Sequence, residues 1–174
     1  MPASAIDPAL PREVRCGAVS KRDLLGRLAA AGVELNDYAR ILFASDGFVT
    51  AGEAFTVAIV ETSPASLGLT AGMTLPRVVE AASARGLRPC PLELGPHLRL
   101  QYLDQPELPA IDPQGRGRAP LGSLTVVSAP LVDDDEFPKG FYLRRINGTP
   151  WLRGYRCAMQ FEWQPHDRLV FRVD

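Results

Sequence analysis

Apolar residues recur at helical spacing in the first half of this chain and at alternating spacing in the second. Ser20 and Asp23 form a capping-box-like start, with Asp in place of the usual Glu or Gln. Leu24, Leu25 and Leu28 then share one face until Gly32 stops the helix. Asn36 is placed as a second N-cap ahead of Tyr38, Ala39, Ile41, Leu42 and Phe43, with Asp46-Gly47 closing that segment. Together the two segments predict a helical hairpin. Phe55 to Val60 is a nearly unbroken apolar run, the pattern of a strand covered on both faces. Ser63-Pro64 starts a short turn ending near Gly68. Thr74 then caps a longer helix that tolerates Pro76 in its first turn, carries Leu75, Val78, Val79 and Ala82 on one face, and ends at Gly86.

From Leu98 the period becomes two. Leu98, Leu100 and Tyr102 alternate with Arg99, Gln101 and Leu103, which predicts a strand. The four prolines and three glycines of 104–122 predict a long loop. Ser123 to Ala129, Phe141 to Ile146, Trp151 to Arg156 and Arg168 to Val173 read as further strands. Residues 1–14, with Pro2, Pro8 and Pro11 and no apolar period, are expected to form a flexible arm. The rest, 15–174, is expected to be a single α+β domain. Its helices fall mainly in the N-terminal half, and an antiparallel sheet with an Asn-Gly hairpin occupies the C-terminal half.

Asn147-Gly148 between two apolar-rich runs is a strong hairpin signal, and a two-residue type I′ turn would fix the register. Ile146 then pairs with Thr149, Arg144 with Trp151 and Tyr142 with Arg153. One face carries Phe141, Leu143, Leu152 and Gly154 and suits burial. The other interleaves Tyr142, Arg144, Trp151, Arg153 and Tyr155. Pro150 has no amide proton to give a second neighbour, so this strand is expected at a sheet edge, at least locally.

Composition removes several classes of function. The 174 residues carry Asp+Glu 20 against Lys+Arg 19, a formal net charge of −1. Divided after Leu87, the halves hold 8 basic and 9 acidic residues, then 11 and 11, so no broad field draws the chain to nucleic acid or a membrane. No apolar run is long enough to span a bilayer, and Met1 to Pro11 lacks a secretory h-region. Cys16, Cys90 and Cys157 are too widely spaced for a disulfide framework or a metal knuckle. They read as reduced thiols in a cytoplasmic protein. No metal site and no cofactor are called for. The acidic run Asp133-Asp134-Asp135-Glu136 lacks the alternation and glycine of a calcium loop and reads as solvated. Arg116 and Arg118 offer a weak anion grip, and His166 sits in a Gln-Pro-His-Asp turn.

Reactive side chains concentrate between Cys90 and Tyr102. The prolines and glycine between Cys90 and His97 argue against a regular helix, so Glu93 and His97 are not expected on one helical face. His97 ahead of a strand, with Arg99 and Glu93 nearby, could line a pocket with His97 as acid or base. The plainer alternative is a hydrogen-bonded structural histidine. Cys90, Pro91, Glu93, Gly95, Pro96, Leu98, Arg99, Leu100 and Tyr102 fit a Cys-Pro-x-Glu-x-Gly-Pro-x-Leu-Arg-Leu-x-Tyr pattern. In this the segment resembles a set of small uncharacterised bacterial proteins, which implies a bacterial origin and no particular activity.

The favoured reading is a cytoplasmic binding or accessory protein. Its face of Tyr142, Arg144, Trp151, Arg153 and Tyr155 would meet a protein partner, since arginine and aromatic residues are enriched at interface centres. Two alternatives stand beside it. One is a small enzyme or ligand-binding protein with a pocket at Glu93, His97 and Arg99. The other is a single-stranded nucleic-acid binder, in which arginines neutralise phosphates while aromatics stack on bases; the near-zero net charge disfavours it. A purely structural reading also exists, in which Arg144 stacks on Trp151 and Arg153 on Tyr142 to cover the sheet.

Overall fold

A computed structural model describes residues 10–108 and 122–174. Among them, four helices pack on a mixed sheet of eight strands. β1 (Glu13–Cys16) is followed by α1 (Lys21–Ala30), β2 (Glu34–Leu35), α2 (Asp37–Ala44) and β3 (Phe55–Thr62). Next come α3 (Leu75–Ser83), β4 (Leu87–Arg88) and α4 (Leu94–Gln101). The C-terminal part supplies β5 (Leu124–Val126), β6 (Gly140–Ile146), β7 (Thr149–Tyr155) and β8 (Arg168–Val173). Strand order is β1-β3-β8-β5-β6-β7-β2, with β4 beside the far end of β8.

The sheet is not purely antiparallel, as the sequence pattern implied. β5 runs parallel to β8, and β2 parallel to β7. β2 also separates α1 from α2, so these helices are not a simple hairpin. Within the expected 1–14 arm the described residues are anchored: Val14 is buried in β1, which pairs with β3, and Leu10 is buried as well. Residues 1–9 and 109–121 lie outside the described residues, and with the latter go Arg116 and Arg118 and most of the expected 104–122 loop.

Local chemistry fixes the first two helices. The Ser20 hydroxyl accepts from Asp23 N at 3.1 Å, and Asn36 Oδ1 accepts from Ala39 N at 3.0 Å. α3 starts at Thr74 without a side-chain cap, with Pro76 in its first turn, where the missing N–H costs nothing.

The principal departure is α4, which occupies the stretch whose alternation predicted a strand. Gly95 and Pro96 fall in its first turn, where backbone N–H groups have no intrahelical partner to lose. Gly95 is demanded by packing: a Cβ there would stand 2.8 Å from the Phe141 ring.

The sheet separates two cores. α1, α2 and α4 cover one face with Leu24, Leu28, Leu42, Leu94 and Leu98 over Leu143 and Leu152. Phe43, Phe48 and Phe141 stack there with centroids 5.4 to 6.0 Å apart. Val78 and Ala82 of α3, with Trp163 and Cys157, cover Leu169 and Phe171 on the other face. β3 is less enclosed than its apolar run implied, because Thr56 and Ala58 are exposed while Val57 and Ile59 are buried. The unbroken run reflects Val60 turning toward the second core.

Two side-chain amides finish the sheet. Gln101 Oε1 accepts from Arg15 N at 3.0 Å and its Nε2 donates to Arg15 O at 2.9 Å, along the outer side of β1. Asn36 does the same for Gly154 beyond the two-residue pairing of β2 with β7.

Candidate functional site

β6 and β7 meet at Asn147 and Gly148, whose φ values of 50° and 77° are those of a type I′ turn. The register pairs Ile146 with Thr149, Arg144 with Trp151 and Tyr142 with Arg153. Glu107 clamps the tip: its carboxylate accepts from Asn147 N at 2.6 Å and Gly148 N at 2.8 Å. These two bonds hold the Glu107 carboxyl below its ordinary range.

Alternation puts Tyr142, Arg144, Trp151, Arg153 and Tyr155 on one side of the hairpin, but burial divides them. Tyr155 belongs to the second core. Its ring packs edge-on against Trp163 at 5.9 Å, and burial pushes its hydroxyl above the usual phenol range. Its hydroxyl is enclosed, while the residue as a whole is half-buried. Tyr142 is buried beneath Arg153, whose Nε donates to the Tyr142 hydroxyl at 2.7 Å. The same guanidinium lies 5.1 Å from the Trp151 ring centroid and 5.9 Å from that of Tyr142. Arg144, Trp151 and Arg153 are half-buried, as Tyr155 is, and bring the two cations to this face.

Charge on this part of the sheet is only partly compensated, with the Glu107 carboxylate at the tip within electrostatic reach of Arg145 and Arg144. Lys139 faces Asp135 at 3.8 Å, and Arg156 pairs with Glu136 while lying over the Tyr38 ring. No such ion pair reaches Arg144, Arg145 or Arg153 among the described residues. Arg144 Nε is buried without a hydrogen-bond partner.

Glu93, His97 and Arg99 lie together at α4, and all three are buried. Contrary to the reading of that stretch as extended, Glu93 and His97 are one helical turn apart, with Oε2 and Nε2 separated by 3.6 Å. Their side chains are 6% and 7% exposed. Glu93 Oε1 accepts from Ala51 N at 3.0 Å, holding the loop ahead of β3. Burial lowers the His97 pKa, against the opposing pull of Glu93.

Arg99 is fully buried. It donates to Gln105 Oε1 at 2.7 Å, to the Trp151 and Arg144 carbonyls at 3.3 and 3.4 Å, and to the Tyr102 carbonyl. Burial brings its guanidinium down to about 10. Gln105 in turn donates to the Gly122 and Leu143 carbonyls, so the chain on both sides of 109–121 is tied to β6. Nothing in the sequence marked Gln101, Gln105 or Glu107 as contacts of this kind, because their partners are backbone groups distant along the chain.

The remaining candidates are structural in place. His166 sits in the turn where Gln164 N donates to Asp167 at 2.7 Å. All three cysteines are free and buried, and burial pushes Cys16 and Cys90 up to about 12. Among the described residues no three His, Cys, Asp or Glu side chains are grouped to hold a metal, and no helix is long and apolar enough to cross a membrane.

A cleft of about 460 Å³, which no sequence pattern announced, opens where β3 and β8 separate. Its walls are Phe55 to Ala58, Pro89 to Pro91, Ala129, Arg172 and Val173. Compared with known proteins, the chain matches no family model, no curated protein and no solved structure.

Proposed function

We propose that this chain is a binding or accessory protein that meets a protein partner through Arg144, Trp151 and Arg153. The observation that carries the reading is the ordered state of that face: Arg153 is held by the Tyr142 hydroxyl and stacked on Trp151 before any partner arrives. A side chain already fixed in its binding rotamer loses little entropy on association. Trp and Arg on one face of the hairpin, with no ion pair reaching Arg144 or Arg153 among the described residues, fit the residue types that dominate interface energetics. The three buried free cysteines support placement in a reducing cytoplasm.

The reading of Glu93, His97 and Arg99 as an acid–base pocket has less support, since all three are buried and Glu93 and Arg99 are engaged with neighbouring backbone. The likeness of 90–102 to small bacterial proteins is better taken as a shared structural device. In this chain Glu93 holds a loop, Gly95 admits Phe141 and Arg99 ties α4 to the hairpin.

The test is partner recovery on the immobilised chain, with Trp151→Ala/Arg153→Ala as the comparison. Recovery should be lost while stability stays within about 2 kcal/mol of the parent. Equal recovery by both forms would refute the reading, and so would unfolding of the double variant. Binding that collapses as salt rises, and that follows added single-stranded nucleic acid, would transfer the face to the nucleic-acid alternative.

A further inference from the structure

The cleft beside β3 is lined by four consecutive strand residues, Phe55 to Ala58. Successive strand side chains point to opposite faces, so four in a row border one cavity only if it runs along the strand's edge. Pairing agrees. β3 pairs with β1 over Phe55–Ala58 and with β8 over Ile59–Thr62, so its first half has a β-strand neighbour on one side only. The Ile59 N–H bonds to Arg12 O at 2.9 Å, and alternation from that bond turns the Thr56 N–H and C=O away from β1, into the cleft. Thr56 is exposed.

The opposite wall cannot complete a ladder. Pro89 and Pro91 have no N–H, and the Cys90 N–H is engaged with Val127 O at 2.7 Å. The space lies beside the unpaired first half of β3, and its lining is polar and apolar in about equal measure, with a single cation, Arg172. That side chain is 45% exposed and lies 3.6 Å from Asp174, a long surface pair that a better-placed carboxylate would replace.

We propose that this gap receives one extended peptide segment of a partner protein, carrying a single acidic residue, added as a strand to the open edge of β3. Main-chain bonds to Thr56 supply register, and Arg172 selects the carboxylate. Among the described residues no strand of this chain pairs with the cleft side of Phe55–Ala58. The inference is independent of the Trp151 face.

A phage library of random decapeptides panned on the purified chain tests it, with the enriched peptide synthesised and its affinity read by fluorescence polarisation. Enriched peptides should be rich in Val, Ile and Thr with one Asp or Glu. Thr56→Pro removes the edge N–H without touching the β1 ladder and should weaken binding about tenfold or more. Arg172→Glu should weaken it as well, with recovery when the peptide's acidic residue becomes Lys. Trp151→Ala should leave it unchanged. Should Thr56→Pro disturb folding, single N-methyl groups along the peptide probe the same bonds, and alternate positions should abolish binding. No enrichment, indifference to both Thr56→Pro and N-methylation, or loss with Trp151→Ala would overturn the proposal. A concentration-dependent dimer abolished by Thr56→Pro would overturn it too, assigning the gap to a second copy.

Discussion

Asn36 meets Gly154 through both atoms of its amide: Oδ1 accepts from Gly154 N at 2.7 Å, and Nδ2 donates to Gly154 O at 3.0 Å. The same Oδ1 caps α2 at Ala39. One side chain therefore starts a helix and extends a sheet, and Gly154 must be glycine for the two to meet. A Cβ there would lie 2.6 Å from the Tyr38 carbonyl carbon.

Asn36→Ala should cost about 2–3 kcal/mol in urea unfolding, the sum of a lost cap and two lost hydrogen bonds. Asn36→Asp keeps the cap acceptor and loses the donor to Gly154, so its cost should be roughly half as large. Gly154→Ala should destabilise by about 2 kcal/mol or more, because α2 must move off β7. Equal losses for Asn36→Ala and Asn36→Asp would show that the cap acceptor contributes nothing.

Arg99 is a buried cation answered by neutral oxygens. Arg99→Ala would leave the Gln105, Tyr102, Arg144 and Trp151 acceptors without their donor and open a cavity between α4 and the hairpin. A loss of about 3–5 kcal/mol is expected, read as a fall in denaturant midpoint. Arg99→Lys should recover only part of it, since an ammonium cannot span the same fork. Arg99→Ala behaving as a surface change would contradict this account.

The pH dependence follows from His97. Its folded-state pKa lies below its unfolded value because burial disfavours the imidazolium. The unfolded chain then binds the proton more readily. The stabilisation is full above the unfolded value near 6.5 and is lost as pH falls through the folded value. Thermal scans from pH 8 to pH 5 should show Tm falling on the acid side, with a shallower slope in His97→Gln. Parallel slopes in the two proteins would remove His97 as the origin.

Local signals were the legible ones in this sequence. Ser20 and Asn36 each bond the backbone amide three residues on, and Asn147-Gly148 takes the positive φ values that favour such residues. What stayed hidden depends on distant partners. α4 is buried nearly all round, so polar Glu93, His97 and Arg99 face protein and the helical period is broken. Its Gly95 answers to Phe141, some 46 residues on. β2 is two residues long and exists only because β7 is there. Alternation placed the five residues of the candidate face on one side of the hairpin, but nothing nearby in the sequence announced that Trp163 would pack edge-on against Tyr155 or that Tyr142 would be buried beneath Arg153. The cleft is made by strand edges, which leave no trace in side-chain periodicity.

The amide of Gln101 has a consequence of a different kind. An uncovered strand margin is a template on which other chains polymerise. By occupying both backbone groups of Arg15, Gln101 denies that template on the β1 side, while Asn36 and a two-residue β2 leave little of one at the opposite margin. A sheet sealed at its two ends and open along an internal gap is resistant to fibril growth, yet it keeps room for one guest strand.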